Sequence, residues 1–231
     1  MSARGYSPDM PLTVVIAEDS AIVREGVVRM LEQQDDIVIV ATCVDLPELE
    51  AAIVQYKPDV VVTDVRMPPT STDEGIRAAV ALRGSSPGTG VVVLSQYADP
   101  GYASTLLDGG TEGRAYLLKE RVAEPGQLAD AVRAVAQNRS IVDPKVIEAL
   151  VGQRRAQANS PLRDLTEGEH EVLAALATGK SNAAIASSLY LSERAVEKRI
   201  NALFGKLGLT NEPDVNRRVM AVLLFLQETG G

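Results

Sequence analysis

Through the first 140 residues, short apolar runs alternate with longer stretches in which apolar positions recur every three or four residues. The runs at 12–17, 37–41, 59–63, 90–95 and 115–118 are rich in Val, Ile and Leu and predict five β-strands. Stretches at 20–33, 46–56, 74–83, 100–109 and 125–138 carry the helical period. Five strand–helix pairs in alternation predict a doubly wound parallel α/β sheet of (βα)5 form. Unbroken runs such as VVV at 60–62 and VVVL at 91–94 suit strands buried on both faces.

A different pattern follows. A helix is expected from 144 to about 152, then a polar linker at 153–160, closed by Pro161. From Thr166 onward only the helical period remains: Thr166 and Glu169 have capping-box spacing, Gly179 and Gly208 read as helix stops, and Ser192 as a cap. Val172, Leu173, Leu176, Ile185, Ala186, Leu189, Leu191, Val196, Ile200, Leu203, Phe204 and Leu207 define three helices sharing one small core. Within them, a helix at about 182–188, a tight turn through Tyr190 and Leu191, and a Ser192-capped helix to about Lys206 form a helix-turn-helix, centred on 180–199 from Lys180 to Arg199. A last helix is expected at 212–228. The predicted domains are 11–140 (α/β), 141–163 (helix and linker) and 164–229 (all α).

Composition narrows the function. At 231 residues, 45% hydrophobic and 23% charged, the chain is an ordinary folded protein of two-domain length. Its longest apolar run, 219–226, falls far short of the roughly 20 residues that span a bilayer, and its start lacks a basic segment followed by an apolar one. The expectation is a cytoplasmic protein with no membrane partner. Cys43 and His170 are the only residues of their types, which excludes an internal disulfide and a cysteine zinc cluster and leaves little for Cys/His or Ser/His catalysis. The net charge of −8 is uneven: residues 1–150 carry 13 basic and 22 acidic side chains, residues 156–231 carry 8 and 9. DNA binding by the second part stays open, with weak affinity for one copy that dimerisation would offset.

In open α/β sheets, ligands bind outside the carboxyl ends of the strands. Glu18 and Asp19 follow the first strand, Asp64 the third; Ser95 ends the fourth and Lys119 follows the fifth. Three carboxylates brought together need a cation, and oxygen ligands without His or Cys suit Mg²⁺. With Lys119 and the Ser95 hydroxyl, such a site could neutralise a phosphoryl group placed on one carboxylate.

At these residues the chain resembles the receiver domain of two-component response regulators, with Glu18-Asp19, the run DVRMP at 64–68, Leu94-Ser95 and YLLK at 116–119 as the matching motifs. The fold this resemblance implies is flavodoxin-like. It also implies roles: Asp64 as the phosphoacceptor for a sensor histidine kinase; Glu18, Asp19, Asp64 and the backbone carbonyl of Arg66 around Mg²⁺; Ser95 and Lys119 on the phosphate. Tyr116 falls where receivers carry a switching aromatic, and Tyr97 is a second candidate on that surface. Glu18 stands where many receivers have a second Asp. The loop at 67–75, from Met67 to Gly75, is longer and richer in hydroxyls than usual, and resembles a subset of actinobacterial regulators.

The runs LTEGE at 165–169, EVL at 171–173, GKSN at 179–182, AVEKR at 195–199 and KLGL at 206–209 resemble the LuxR-type DNA-binding domain of NarL/FixJ regulators. What the two resemblances imply together is a phosphorylation-dependent transcriptional regulator, not an enzyme, acting as a homodimer on promoter half-sites of double-stranded DNA. Ser192, Arg194, Glu197, Lys198, Asn201 and Lys206 are the expected DNA contacts. Three departures stand out: Gly168 where the family usually has Arg, Glu197 for a frequent Lys, and Arg199 for a frequent His. Two other readings use the same residues. One is a LuxR-type factor whose receiver serves only dimerisation, which the intact acid pair, Asp64, Ser95 and Lys119 argue against. The other is an aspartyl-phosphate phosphatase, which would need an acid two residues past Asp64, where Arg66 stands.

Overall fold

Six parallel strands form one sheet in the order β2-β1-β3-β4-β5-β6: β1 (Leu12–Ala17), β2 (Ile37–Cys43), β3 (Val60–Asp64), β4 (Gly90–Ser95), β5 (Arg114–Leu118) and β6 (Ile141–Val142). The computed structural model describes residues 10–122, 126–158, 160–209 and 216–229. Between the strands lie α1 (Ala21–Glu32), α2 (Leu46–Tyr56), α3 (Glu74–Ser85), α4 (Pro100–Leu107), a one-turn α5 (Lys119–Val122) and α6 (Gln127–Ala136). This is the doubly wound α/β architecture that the alternation of periods predicts, with one strand more. The start of the helix expected at 125–138 falls partly outside the described residues.

Successive strand residues point to opposite faces, and both faces are covered. Val15, Ala17, Val61, Val91, Val93, Tyr116 and Leu118 pack on one side against α2, α3 and α4 through Leu49, Ile76, Ala79, Leu82 and Leu106. On the other, Val14, Ile16, Val60, Val62, Val92, Leu94 and Leu117 meet α1 and α6 through Val27, Leu31, Leu128, Val132 and Val135. With helices over both faces, β3, β4 and β5 are buried at every position, which is why these strands show no polar alternation.

The sixth strand was not expected. Ile141 and Val142 pair with Ala115 and Tyr116, and two residues are too few to show a period. Directly after it, buried Asp143 sits 3.3 Å from Arg121 Nε, and Lys145 pairs with Glu120 at 2.5 Å. The turn that starts with Lys119 is thus tied to the start of the next helix, α7 (Pro144–Ala158). That helix runs through most of the expected linker at 153–160, because Gln, Arg and Ala favour helix and only their polarity suggested otherwise. The chain divides into two compact units after Leu150.

In the second unit, a short 3-10 helix at Pro161–Asp164 precedes α8 (Glu167–Ala177), α9 (Asn182–Ser188), α10 (Glu193–Lys206) and α11 (Arg217–Thr229). The unit is all α, as the helical period alone predicts. Thr166 and Glu169 form the reciprocal capping box, Ser181 caps α9, and Ser192 accepts from Ala195 N at 3.2 Å. Gly179 and Gly208 take the left-handed conformation that ends a helix, with φ of 78° and 67°. Val172, Leu173, Leu176, Ile185, Val196, Leu203 and Ala221 are its innermost residues. Of the final helix expected at 212–228, residues 212–215 lie outside the described residues.

Candidate functional site

Strand register assembles the site. Ala17 lies opposite Thr63, Asp64 opposite Leu94, and Ser95 opposite Leu118. Glu18, Asp64, Ser95 and Lys119 therefore meet at the carboxyl edge of adjacent strands, where the winding direction changes between β1 and β3. Asp64 is the last residue of β3 rather than the first beyond it.

Lys119 Nζ lies 2.8 Å from Glu18 Oε2 and 2.9 Å from Asp64 Oδ2. Glu18, Asp64 and Ser95 are buried and Asp19 is exposed. Carboxylate oxygens of Glu18, Asp19 and Asp64 lie within 4.8 Å of one another. Burial raises the Glu18 carboxyl above the ordinary carboxylate range, and the Asp64 charge adds to that against the Lys119 hydrogen bond. Burial also disfavours the Lys119 ammonium, but the Glu18 and Asp64 carboxylates outweigh it and hold its pKa above the usual lysine value. One ammonium shared by two carboxylates leaves net negative charge. Oxygen donors alone, close together and short of positive charge, fit a hard divalent cation such as Mg²⁺.

The surroundings fix these groups in place. Arg24 Nη1 donates to the carbonyls of Glu18 (2.7 Å) and Asp19 (3.4 Å), pinning the turn after β1. Val65 N donates to Asp64 Oδ1 at 2.8 Å, leaving Oδ2 toward the lysine. The Ser95 hydroxyl donates to the Tyr97 carbonyl at 2.8 Å, and the Tyr116 hydroxyl approaches the same oxygen at 3.4 Å. Tyr116 is fully buried, whereas Tyr97 is 62% exposed. Burial pushes the Tyr116 phenol up. Arg66 is exposed, with its guanidinium 5.9 Å from the centre of the Tyr102 ring. An open cavity of about 790 Å³ lies over the acids, lined among others by Glu18, Asp19, Asp64, Arg66, Ser95 and Lys119.

Several residues that build this site escape sequence reasoning. Gly75 donates its N–H to Val65 O at 2.9 Å, and a Cβ there would fall 1.8 Å from the Asp64 carbonyl oxygen. A glycine in the first turn of a helix is costly, and that cost is the one signal of a close approach. Glu74 is fully buried and accepts from the N–H groups of Thr70 (3.0 Å), Thr72 (2.9 Å) and Met67 (3.4 Å) and from the Thr70 hydroxyl. The long loop at 67–75 is therefore wrapped around one carboxylate.

On α10, Arg194, Glu197, Lys198 and Asn201 are all exposed and at helical spacing, so they form one face. Ser192 lies exposed at its start. Lys206, the remaining expected DNA contact, is exposed near the end of α10, and its Nζ lies 2.7 Å from Glu169 Oε2, an ion pair that braces α8 against α10 and holds the Glu169 carboxyl below the usual range. Two of the three departures turn out to be one contact. Arg199 Nη1 donates to Gly168 O at 3.3 Å, and a Cβ on Gly168 would fall 2.7 Å from that nitrogen. Arg218 reaches back to the Asn182 side chain at 2.8 Å and to the Lys180 carbonyl, tying α11 to the start of α9.

Residues 14–133 match the family described as "Response regulator receiver domain", and residues 163–219 match "Bacterial regulatory proteins, luxR family". The "Oxygen regulatory protein NreC" of Staphylococcus carnosus is 35% identical over 211 residues, 88% of this chain and 94% of the relative. Among solved structures, the response regulator ChrA of a heme-sensing two-component system is 33% identical, with a TM-score of 0.50 over 95% of this chain and 98% of that one. The RcsB response regulator of Salmonella typhimurium is 25% identical, with a TM-score of 0.65 over 94% of this chain and 99% of its own. Salmonella RcsB bound to a promoter in the presence of the phosphomimetic BeF3⁻ gives 0.57, at 25% identity over 94% and 98%.

Proposed function

Since this chain belongs to the response regulators of the NarL/FixJ type, with a receiver and a LuxR-type DNA-binding domain, we propose that phosphorylation of Asp64 governs how its second domain engages DNA. The observation that carries this is Lys119 between Glu18 and Asp64, with Ser95 beside them on the same sheet edge. Asp64 Oδ attacks the phosphorus of a sensor kinase's phosphohistidine; the P–N bond breaks and the imidazole keeps the electron pair. Glu18, Asp19, Asp64 and the Arg66 carbonyl would hold Mg²⁺, which supplies neutralising charge to the phosphoryl oxygens when bound. Lys119 then exchanges a carboxylate for a phosphoryl oxygen, and the Ser95 hydroxyl turns from the Tyr97 carbonyl to another. That turn frees the carbonyl over Tyr116 and gives Tyr97 and Tyr116 a reason to repack, which shifts the population of receiver conformations.

In the second unit, Ser192, Arg194, Glu197, Lys198 and Asn201 face the major groove, with Lys206 bracing the helix that carries them. A near-neutral domain gains affinity as a homodimer on two half-sites, and the promoter-bound RcsB structure supports DNA as the partner. The relatives bear the names of regulatory proteins, which favours this reading over a phosphatase.

The test is intact mass after incubation with acetyl phosphate, with and without Mg²⁺, beside Asp64→Asn. The expected result is a gain of one phosphoryl group that needs Mg²⁺ and is absent from the variant. A Mg²⁺-independent gain, or one that survives in Asp64→Asn, would sink the assignment.

A further inference from the structure

The loop at 67–75 supplies none of the groups that take up the phosphoryl group, yet it borders the pocket that holds them. Glu74, at its end, is fully buried, and among the described residues no basic side chain lies within ion-pair distance of it. An ionised carboxylate is costly to bury without a counter-charge, and its donors here are the loop's own N–H groups at Met67, Thr70 and Thr72 with the Thr70 hydroxyl. Such a carboxylate specifies one loop conformation, because any other leaves it short of donors.

That conformation is fastened to the phosphoacceptor pocket at two points. On the inner side, Gly75 is pressed against the Asp64 carbonyl and bonded to Val65. On the outer side, the Tyr102 hydroxyl of α4 donates to the Thr72 carbonyl at 3.0 Å, while the Tyr102 ring lies under the Arg66 guanidinium. Ser71, the residue before Thr72, is in the left-handed region (φ 55°), with its N–H bonded to Met67 O. It lines the cavity together with Asp64, Arg66, Tyr102 and Lys119.

We propose that Glu74 is a positioning residue for the chemistry of Asp64: it holds loop 67–75 as a fixed wall of the pocket, and the wall sets the lifetime of the phosphoryl group. This rests on the reading of Asp64 as phosphoacceptor. The step it controls is hydrolysis. A water oxygen bonds to phosphorus, the bond from phosphorus to the Asp64 oxygen breaks with its electron pair returning to the carboxylate, and the water proton leaves as inorganic phosphate forms. A wall that is held in place limits the directions from which water reaches the phosphorus; a loosened one admits it.

The experiment labels full-length protein with acetyl phosphate and Mg²⁺, removes the donor, and follows loss of the phosphoryl mass in wild type, Glu74→Gln, Thr70→Val and Tyr102→Phe. Glu74→Gln is expected to shorten the half-life about tenfold, and Tyr102→Phe, which removes only the bond to Thr72, about threefold. Thermal melting of Tyr102→Phe should match wild type, so that a shorter lifetime in it cannot be put down to general loosening. Should Glu74→Gln fail to fold, Tyr102→Phe and Thr70→Val decide. Folded variants that keep the wild-type lifetime overturn the proposal. A wild type that never accepts the phosphoryl group overturns the Asp64 reading, and this proposal with it.

Discussion

Glu74 shows how much one residue's environment changes what it does. Burial alone would raise its pKa, but the Thr70 hydroxyl and the loop N–H groups outweigh that and take it down to about 2. A carboxyl depressed in the folded state contributes stability that is present above its unfolded value, 4.5, and is lost as pH falls toward 2. The melting temperature of wild type minus that of Glu74→Gln is therefore expected to be largest above pH 5 and to shrink steadily below 4.5; a difference that stays flat over that window would refute the assignment. Nothing in the sequence reveals this residue, since a Glu in the first turn of a helix is ordinary. Glu18, Asp19, Asp64, Ser95 and Lys119 were legible because each chemical type falls at the end of a recognisable strand. Gly168 and Arg199 were legible only as two separate departures, because the contact between them joins residues 31 apart.

At the scale of elements, strands and helices of ordinary length were readable from period and caps, and the shortest and most polar ones were not. The two residues of β6 hold no period, and the end of α7 is helical for its propensity rather than its pattern. Helix α10 combines two demands at its start. Ser192 accepts the Ala195 N–H, so Ser192→Ala should cost about 1 kcal/mol of stability in thermal unfolding of the full chain. Ser192→Asp keeps an acceptor at the cap and adds a negative charge on the exposed side. It should hold wild-type stability while weakening DNA binding in fluorescence anisotropy; unchanged binding would mean that this end of α10 does not face phosphate. The Lys206–Glu169 pair was not legible in the sequence, since it joins residues 37 apart on two different helices.

For the whole molecule, the uneven charge and the change of period near residue 160 already separate an acidic α/β part from a near-neutral helical one. Where to cut between them is a different matter, and β6 bears on it. Ending a receiver fragment at residue 140 would strip Ile141 and Val142 from β5 and remove Asp143 and Val146, both buried. The backbone N–H and C=O groups of β5, one strand in from the margin, would become an open template for a second molecule. A fragment of residues 10–150 is expected to elute as a single species in size exclusion and to melt above one of residues 10–140, which should self-associate on concentration. Equal behaviour of the two would mean the sheet tolerates losing its border. The two-residue strand thus acts as a hem: too short to recruit a stranger, long enough to keep its neighbour from doing so.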